Sequence, residues 1–582
     1  MNIRFNRFVL SFLLFSLLFF SSHNYPAVFA AGLPAFPGAE GFGSQTVGGR
    51  GGRIVEVTNL NDSGVGSFRQ AVAVERGPRI VVFKIGGIIN LKSNIEIYEP
   101  FLTVAGQTAL GEGIVLVGGR LGVRTHDVII RGMKVRPGDG PGGDLSSRDG
   151  ISVTVDPNTK AEVYNVMIDH NSISWGLDEN ASIWDNTFGV YGVKLHDVTY
   201  SWNIISEALR CGVVAADDTG TKNCSTTGQT PYDKRVRSFG FLIGEDTKNI
   251  SVHHNLMASN DYRNPNITQG VTLEFINNVI YNYGLDSMTV SVGGNNGPEN
   301  PNFINIIGNY FKPTAGTFKD ASIDGTTLKT IKGIRLSCRM ANAPASKIYV
   351  FGNIDTLYRT NDSQDQWDAV DLPYSCRSEL ISMKSNTSVL SQTGGVNNTN
   401  ASMAYSQVLD YSGARAQGVD IVDARAVQTT KEGTSPVAKQ IISGPGNRNN
   451  WFIDTPTEAG INPVYATTQA DVLFDTDHDG MPQSWEQAKG GNLDPSGISP
   501  SGYTWIEEYI NSLIPTGGGE VVSPPPSKSG DANNDNQVND ADYSIWLTNY
   551  NKSVSGVTNG DFNNSGKVDG VDYVLWLNNY SK

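Results

Sequence analysis

The sequence predicts an all-β fold, a right-handed parallel β-helix, followed by a small α-helical C-terminal module. Three observations carry that expectation. A strand-then-asparagine pattern recurs through the middle of the chain, Asn-Gly hairpin signals are scarce between its copies, and the C-terminal segment is an internal duplication. Composition sets the outer bounds. The 582 residues exceed one ordinary domain, and 39% hydrophobic residues suffice for a core but not for a multi-span membrane protein. A formal net charge of −14 excludes sequence-independent nucleic-acid binding, which needs a basic footprint. Any polyanionic substrate must therefore be met by local cations or bound metal.

Residues 1–30 read as a signal peptide. Arg4 and Arg7 give a positive start, Phe8–Phe20 is an apolar run too short for a membrane span, and Ala27-Val28-Phe29-Ala30 offers a cleavage site. Secretion is expected, with no transmembrane anchor. The four cysteines then sit in an oxidising compartment and allow three pairings; proximity in sequence favours Cys211–Cys224 and Cys338–Cys376. None has metal-binding CxxC spacing.

The main body, residues 31–514, repeats one unit. Its copies include Val166–Asn171, Val198–Asn203, Ile250–Asn255, Leu273–Asn278, Ile304–Asn309 and Ile348–Asn353. The asparagines are 32, 52, 23, 31 and 44 residues apart. The shortest step is about one rung of a wide solenoid, and the longer steps are a rung plus insertions. Apolar residues alternate with period two and are β-branched or aromatic, which predicts short strands facing a common interior. Asparagine suits the turn after each strand, since it tolerates left-handed backbone, and stacked side-chain amides form a hydrogen-bonded ladder.

Several motifs resemble the bacterial pectate lyases of polysaccharide lyase family one. They are Pro37–Gly43, Gly48–Gly52, Val166–Ser172, Ser174–Glu179, and His253-His254-Asn255 followed by Arg263-Asn264-Pro265. They fall in the family's order and span roughly residues 34–514. The resemblance implies a pectin-lyase-like solenoid and a calcium-dependent elimination on pectate, a polymer of galacturonate. Removing the proton beside the uronate carboxylate builds a second negative charge, which a cation held by protein carboxylates can neutralise.

By resemblance, Asp169 is the leading ligand for Ca2+, joined by Asp178, Glu179 and Asp149. Arg263 matches the catalytic arginine, acting as the base that takes the proton. Three departures stand out. Ser182 replaces a second family carboxylate, Thr268 replaces an arginine, and no lysine immediately precedes Phe241, leaving Lys234, Arg235 and Arg237 as candidate substrate-binding cations. Alternative readings are a pectin lyase or a polygalacturonase on the same fold, or a non-catalytic polysaccharide-binding β-helix. The hydrolase needs a Gly-His-Gly step, and none of the seven histidines has glycine on both sides.

Asp475, Asp477, Asp479, Gly480 and Glu486 complete a D-x-D-x-D-G-x₅-E calcium loop, with a helix expected over Trp505–Leu513 beside it. Residues 515–529 read as a Pro/Gly linker. Residues 530–582 repeat with an offset of 30, so that Gly530, Val538, Trp546 and Tyr550 recur as Gly560, Val568, Trp576 and Tyr580. Each copy carries loop oxygens, Asp531, Asn533, Asp535 and Asp542 in the first and Asp561, Asn563, Ser565 and Asp572 in the second, ahead of a short helix with Trp, Leu and Tyr expected on one face. About fifty residues make a small core, so metal would supply stability. The module resembles a type I dockerin, which implies a cohesin-bearing scaffold or cell-surface partner. The catalytic body is expected to be monomeric.

Overall fold

The computed structural model describes residues 32–143, 147–210, 237–292, 299–320, 327–437, 451–453, 455–459, 465–470, 474–514, 530, 532, 538–554, 559–562 and 566–580. It divides into two compact units, Met1–Pro515 and Thr516–Lys582. The expected signal peptide, the Cys211–Cys224 pair and the linker all lie outside the described residues.

The first unit is a parallel β-helix. Among the described residues its rungs form three sheets of eleven, ten and nine members in which each rung strand pairs in parallel with those one turn earlier and later; Thr468–Gln469 joins the ten-stranded sheet as an antiparallel edge, and Lys319–Asp320 with Lys329–Thr330 makes a separate antiparallel pair. In the eleven-stranded sheet Val128, Val166, Val198, Ile250, Leu273, Ile304 and Ile348 lie in register on successive rungs. All seven are fully buried, so the period-two pattern in each copy faces the solenoid interior. The asparagine ladder is present. Asn171, Asn203, Asn255, Asn278 and Asn309 each pass a side-chain N–H to the side-chain oxygen of the next member, the last being Asn353, at 2.9–3.1 Å. This satisfies backbone groups buried at the turn between two sheets, where no ladder partner exists.

The nine-stranded sheet carries the chemistry described below. In strand Ile151–Val155, Ile151, Val153 and Val155 belong to the core, while Ser152 and Thr154 alternate with them. The column containing Ser152 continues through Ser182, Leu242, Asn266, Thr289 and Arg335 on later rungs.

Chain segments outside the rungs close the solenoid. The glycine-rich stretch Gly41–Gly52 lies across the eleven-stranded sheet so closely that a Cβ at Gly43 or Gly49 would collide with the backbone carbonyl of Val166 or Arg79. After the last strand of that sheet, Lys384–Ser385, the chain runs back toward its start. Helix Ala401–Tyr411 covers Ile204, Leu256 and Val279 of the ten-stranded sheet. Helix Ile421–Glu432 is fastened by its N-cap Asp420, which takes a bidentate pair from fully buried Arg136 at 2.7 and 3.0 Å. The predicted helix near the calcium loop is Trp505–Ser512, and its Ile506, Tyr509 and Ile510 pack with Met481 on Ile80 and Val82. Cys338 and Cys376 form the expected disulfide.

In the second unit, helices Asp540–Asn549 and Gly570–Asn579 are related as the duplication requires. Each starts at a reciprocal cap, Asn539 with Asp542 and Asp569 with Asp572. Each tryptophan reaches across to the other repeat, Trp546 Nε1 to the Asp569 carbonyl and Trp576 Nε1 to that of Asn539, both 3.0 Å. The single apolar face expected for each helix is divided. Trp546 and Trp576 are buried with Val538 and Val568, whereas Leu547, Leu577 and Tyr550 are about half exposed, because so small a unit has a small interior.

Candidate active site

A cleft of about 770 Å³ opens on the nine-stranded sheet. Asp149 enters it just before strand Ile151–Val155, and Asp178 and Glu179 at the start of strand Glu179–Asp185. Single carboxylate oxygens of the three lie within 4.8 Å of one another. Ser152 donates to Asp149 Oδ2 at 2.7 Å. Burial pushes the Asp149 carboxyl up to about 6 even with Arg120 nearby, and the Asp178 charge adds to the rise.

Arg263 stands opposite, in the bend before strand Asn266–Ile267, with a left-handed backbone (φ 59°). Its guanidinium lies 3.9 Å from the centre of the Phe239 ring and pairs with Glu179. Burial draws that guanidinium below its usual range, against the pull of Asp178, Asp149 and Asp286. Arg237 pairs with Asp178 at 2.5 Å. Lys234 and Arg235 lie outside the described residues.

Asp169 is not part of this cluster. It ends strand Val166–Asp169 of the eleven-stranded sheet, is 1% exposed, and takes Arg131 Nε at 2.8 Å, His170 Nδ1 at 2.7 Å and Ser201 Oγ at 2.6 Å. Arg131 and Ser201 are its register partners on the neighbouring rungs, so its charge is compensated within that sheet. The Ile-Asp-His motif builds a buried polar cluster rather than contributing to the cleft carboxylates. Burial resists ionisation there, yet His170 and Arg131 together hold the carboxyl well below the ordinary range.

Sequence reasoning missed Arg120 and Arg124. They flank strand Leu121–Val123, two positions either side of Gly122, so period-two parity puts all three on the cleft side. Glu96, the register partner of Gly122, bridges them at 2.5 and 2.8 Å, in space that a Cβ on Gly122 would invade. Further along, Asp286 pairs with Arg335 at 3.3 Å, and burial lifts its carboxyl to about 6 against that pairing.

Four arginines (120, 124, 237 and 263) and four carboxylates (149, 178, 179 and 286) line the cleft, so its described charges cancel. Three acids within reach of one point, one of them strained toward protonation, fit a hard divalent cation.

The chain matches no family model. It is 32% identical over 492 residues to "Probable pectate lyase C" of Neosartorya fischeri, covering 83% of this chain and 94% of that protein. The chain belongs to the pectate lyase family. A second member of that name, from Aspergillus oryzae, is 30% identical over 504 residues, covering 84% and 96%. Both pectate lyase relatives are fungal, whereas the sequence motifs resembled the bacterial branch. Among solved structures, a pectate lyase of Bacillus sp. N165 in complex with trigalacturonate superposes with a TM-score of 0.37 at 14% identity, covering 65% of this chain and 98% of that one.

Two other groups complete the sites expected from sequence. In the loop at 475–486, Asp475, Asp477 and Asp479 converge, and Gly480 (φ 91°) donates to Asp475 Oδ2 at 2.9 Å. Glu486 is fully buried, accepts Leu493 N–H at 2.8 Å, and is near enough for its charge to act on Asp479. Burial and the charges of Glu486, Asp477 and Asp475 push Asp479 up to about 7. Lys84 pairs with Asp475. In the tail, Asp542, Asp561 and Asp572 are buried; Asp542 accepts Ala532 N–H and Asp572 accepts Phe562 N–H, both at 2.8 Å. Asp531, Asn533, Asp535, Asn563 and Ser565 lie outside the described residues.

Proposed function

We propose that the chain is a secreted, calcium-dependent pectate lyase that cleaves de-esterified polygalacturonate by β-elimination, leaving 4,5-unsaturated oligogalacturonides. The observation that carries this reading is a single cleft in which Asp149, Asp178 and Glu179 face Arg263. The elimination moves the C5 proton to a base, makes a C4=C5 double bond from the freed electron pair, and breaks the C4–O bond, whose oxygen then takes a proton. Arg263 is the base: its buried position favours the neutral guanidine more than water does, and the Phe239 ring fixes its plane. Asp149, Asp178 and Glu179 would hold calcium, which supplies charge neutralisation at the uronate carboxylate. Divalent charge would also tip the balanced cleft positive, as a polyanion requires.

The acids favour this over hydrolysis. One oxygen of each lies within 4.8 Å of the others, a grouping that suits a shared cation, and none of the seven histidines supplies the Gly-His-Gly step of a polygalacturonase. Residues 1–30 as a signal peptide support secretion. The calcium loop at 475–486 is read as structural, since Met481 anchors it to the outside of the solenoid. The tail is read as a dockerin-like module for a cohesin-bearing or cell-surface partner, supported by its duplicated caps and buried acids. Polygalacturonate is the test. Ultraviolet absorbance from the new double bond should rise with enzyme and vanish on chelation. Reducing ends without that absorbance would establish a hydrolase instead.

A further inference from the structure

We infer that the three cleft acids exchange arginine for calcium, and that this exchange turns Arg120 and Arg237 into clamps for substrate carboxylates. The inference rests on the calcium-dependent reading above and adds an order to it: metal and uronate chain bind cooperatively because the same guanidiniums serve both states.

Each of the three acids has an arginine beside it. Asp149 has Arg120 at 3.6 Å, Asp178 has Arg237 at 2.5 Å, and Glu179 has Arg263. All six side chains line the same cleft. Asp178 Oδ1 and Glu179 Oε1, the oxygens that take guanidinium N–H groups, belong to the acids that converge within 4.8 Å as a potential cation site. An oxygen shared with a guanidinium is a poorer ligand for a divalent ion, and the two cations repel across so short a gap. Occupation of the acids by calcium must therefore loosen these pairs. Arg120 does not drift when released, because Glu96 retains it at 2.5 Å, and Arg124 is held by the same Glu96. Arg237 is anchored at its backbone, donating N–H to the Arg210 carbonyl at 3.0 Å. When its acid turns to the ion, Arg120 still holds Glu96 through Nε and Nη2 and Arg237 keeps its other contacts, and the edge of each guanidinium fork that had faced the acid then faces the bound ion, where its N–H groups suit a uronate carboxylate. Before metal arrives these forks are occupied and the cleft is electrically balanced, so a polyanion gains little by entering.

Reciprocity gives the test, since calcium must strengthen oligogalacturonate binding by the factor by which the oligomer strengthens calcium binding. Calorimetric titration of calcium into the full chain is compared with an Asp149→Asn/Asp178→Asn/Glu179→Gln variant, which reports uptake by the other loops alone. Wild-type protein should show an extra cleft site. Arg237→Met and Arg120→Met should bind calcium there about tenfold more tightly without substrate, the size expected for losing one charge-assisted competitor. In both variants the tightening of trigalacturonate binding by calcium should shrink by a comparable factor. Arg237→Lys and Arg120→Lys, which retain the charge, should stay near wild type. Unchanged or weaker calcium binding in the Met variants, or undiminished coupling, overturns the exchange while leaving the lyase reading intact. Absence of an extra wild-type site sinks the calcium reading itself.

Discussion

Substituting Asp169 separates a buried structural acid from a metal ligand. In Asp169→Ala, Arg131 loses its carboxylate at 2.8 Å, while its guanidinium remains over Phe36 at 3.6 Å from the ring centre and bonded to Asn511 at 3.0 Å. His170 and Ser201 lose their partner as well. Both members of the Arg131–Asp169 pair are at least 94% shielded from solvent, so the change strands a buried charge, which costs about 3–5 kcal/mol. Asp169→Asn keeps the shape and should cost less, about 2 kcal/mol for charge-assisted bonds turned neutral. The pH dependence has a defined sign. Because the folded carboxyl is held below its unfolded value of about 3.9, its stabilisation is complete above that pH and is lost as pH falls further. The Asn variant should lack this acid-side contribution. Chemical denaturation followed by tryptophan fluorescence, at neutral pH and at about pH 3, reads both effects. Calcium dependence of activity should be unchanged in any variant that folds. A variant of wild-type stability that needs more calcium would refute the structural assignment and restore Asp169 as a ligand.

Asp178→Asn should show the opposite profile: denaturation close to wild type, with the calcium concentration for half-maximal activity raised about tenfold or more, and an unaltered requirement would remove Asp178 from the metal. Arg263→Lys should lower kcat by about 100-fold or more with little change in KM, because a positioned base contributes in that range; near-normal kcat would take Arg263 out of the proton transfer. Since burial lowers the guanidinium's pKa, the basic form grows as pH rises, so wild-type activity should climb into the alkaline range, and a decline above neutrality would contradict this. Asn255→Ala removes side-chain bonds to Asn278, Tyr200 and His253 and strands the Asn203 amide, costing about 3 kcal/mol or more by denaturation. Truncation after Pro515 should leave turnover on soluble polygalacturonate unchanged, because every cleft residue precedes it.

The rungs were legible because burial imposes a period. Ile250 and Val252 face the core and Asn255 turns the chain, and each is readable within six residues of sequence. The convergence of Asp475, Asp477 and Asp479 and the pair of similar tail helices were legible for a related reason, since the residues that form each are neighbours along the chain. The return of the chain after Ser385 was not legible. What fixes it are contacts such as Arg136 with Asp420, 284 residues apart, and Gly413 N–H with the Trp202 carbonyl, and neither leaves a local pattern. Arg120 and Arg124 lay between, since their parity about Gly122 was visible and only the adjacency of that strand to Asp149 was hidden.

Asp149 and Asp169, both expected as ligands, are parted by the same geometry. In a solenoid with three sheets, local alternation tells which side chains leave the core but not which of three outer faces they join. Both aspartates sit at strand ends, twenty residues apart and on different sheets. What distinguishes them is the content of the next rungs in their own column. Above and below Asp169 stand Arg131 and Ser201, which complete it; around Asp149 gather Asp178 and Glu179, which repel it. A carboxylate whose register partners satisfy it belongs to the frame. One whose neighbours are like charges is stable only with a cation between them, whether the arginines now paired there or a metal, and that unfavourable crowding marks the site.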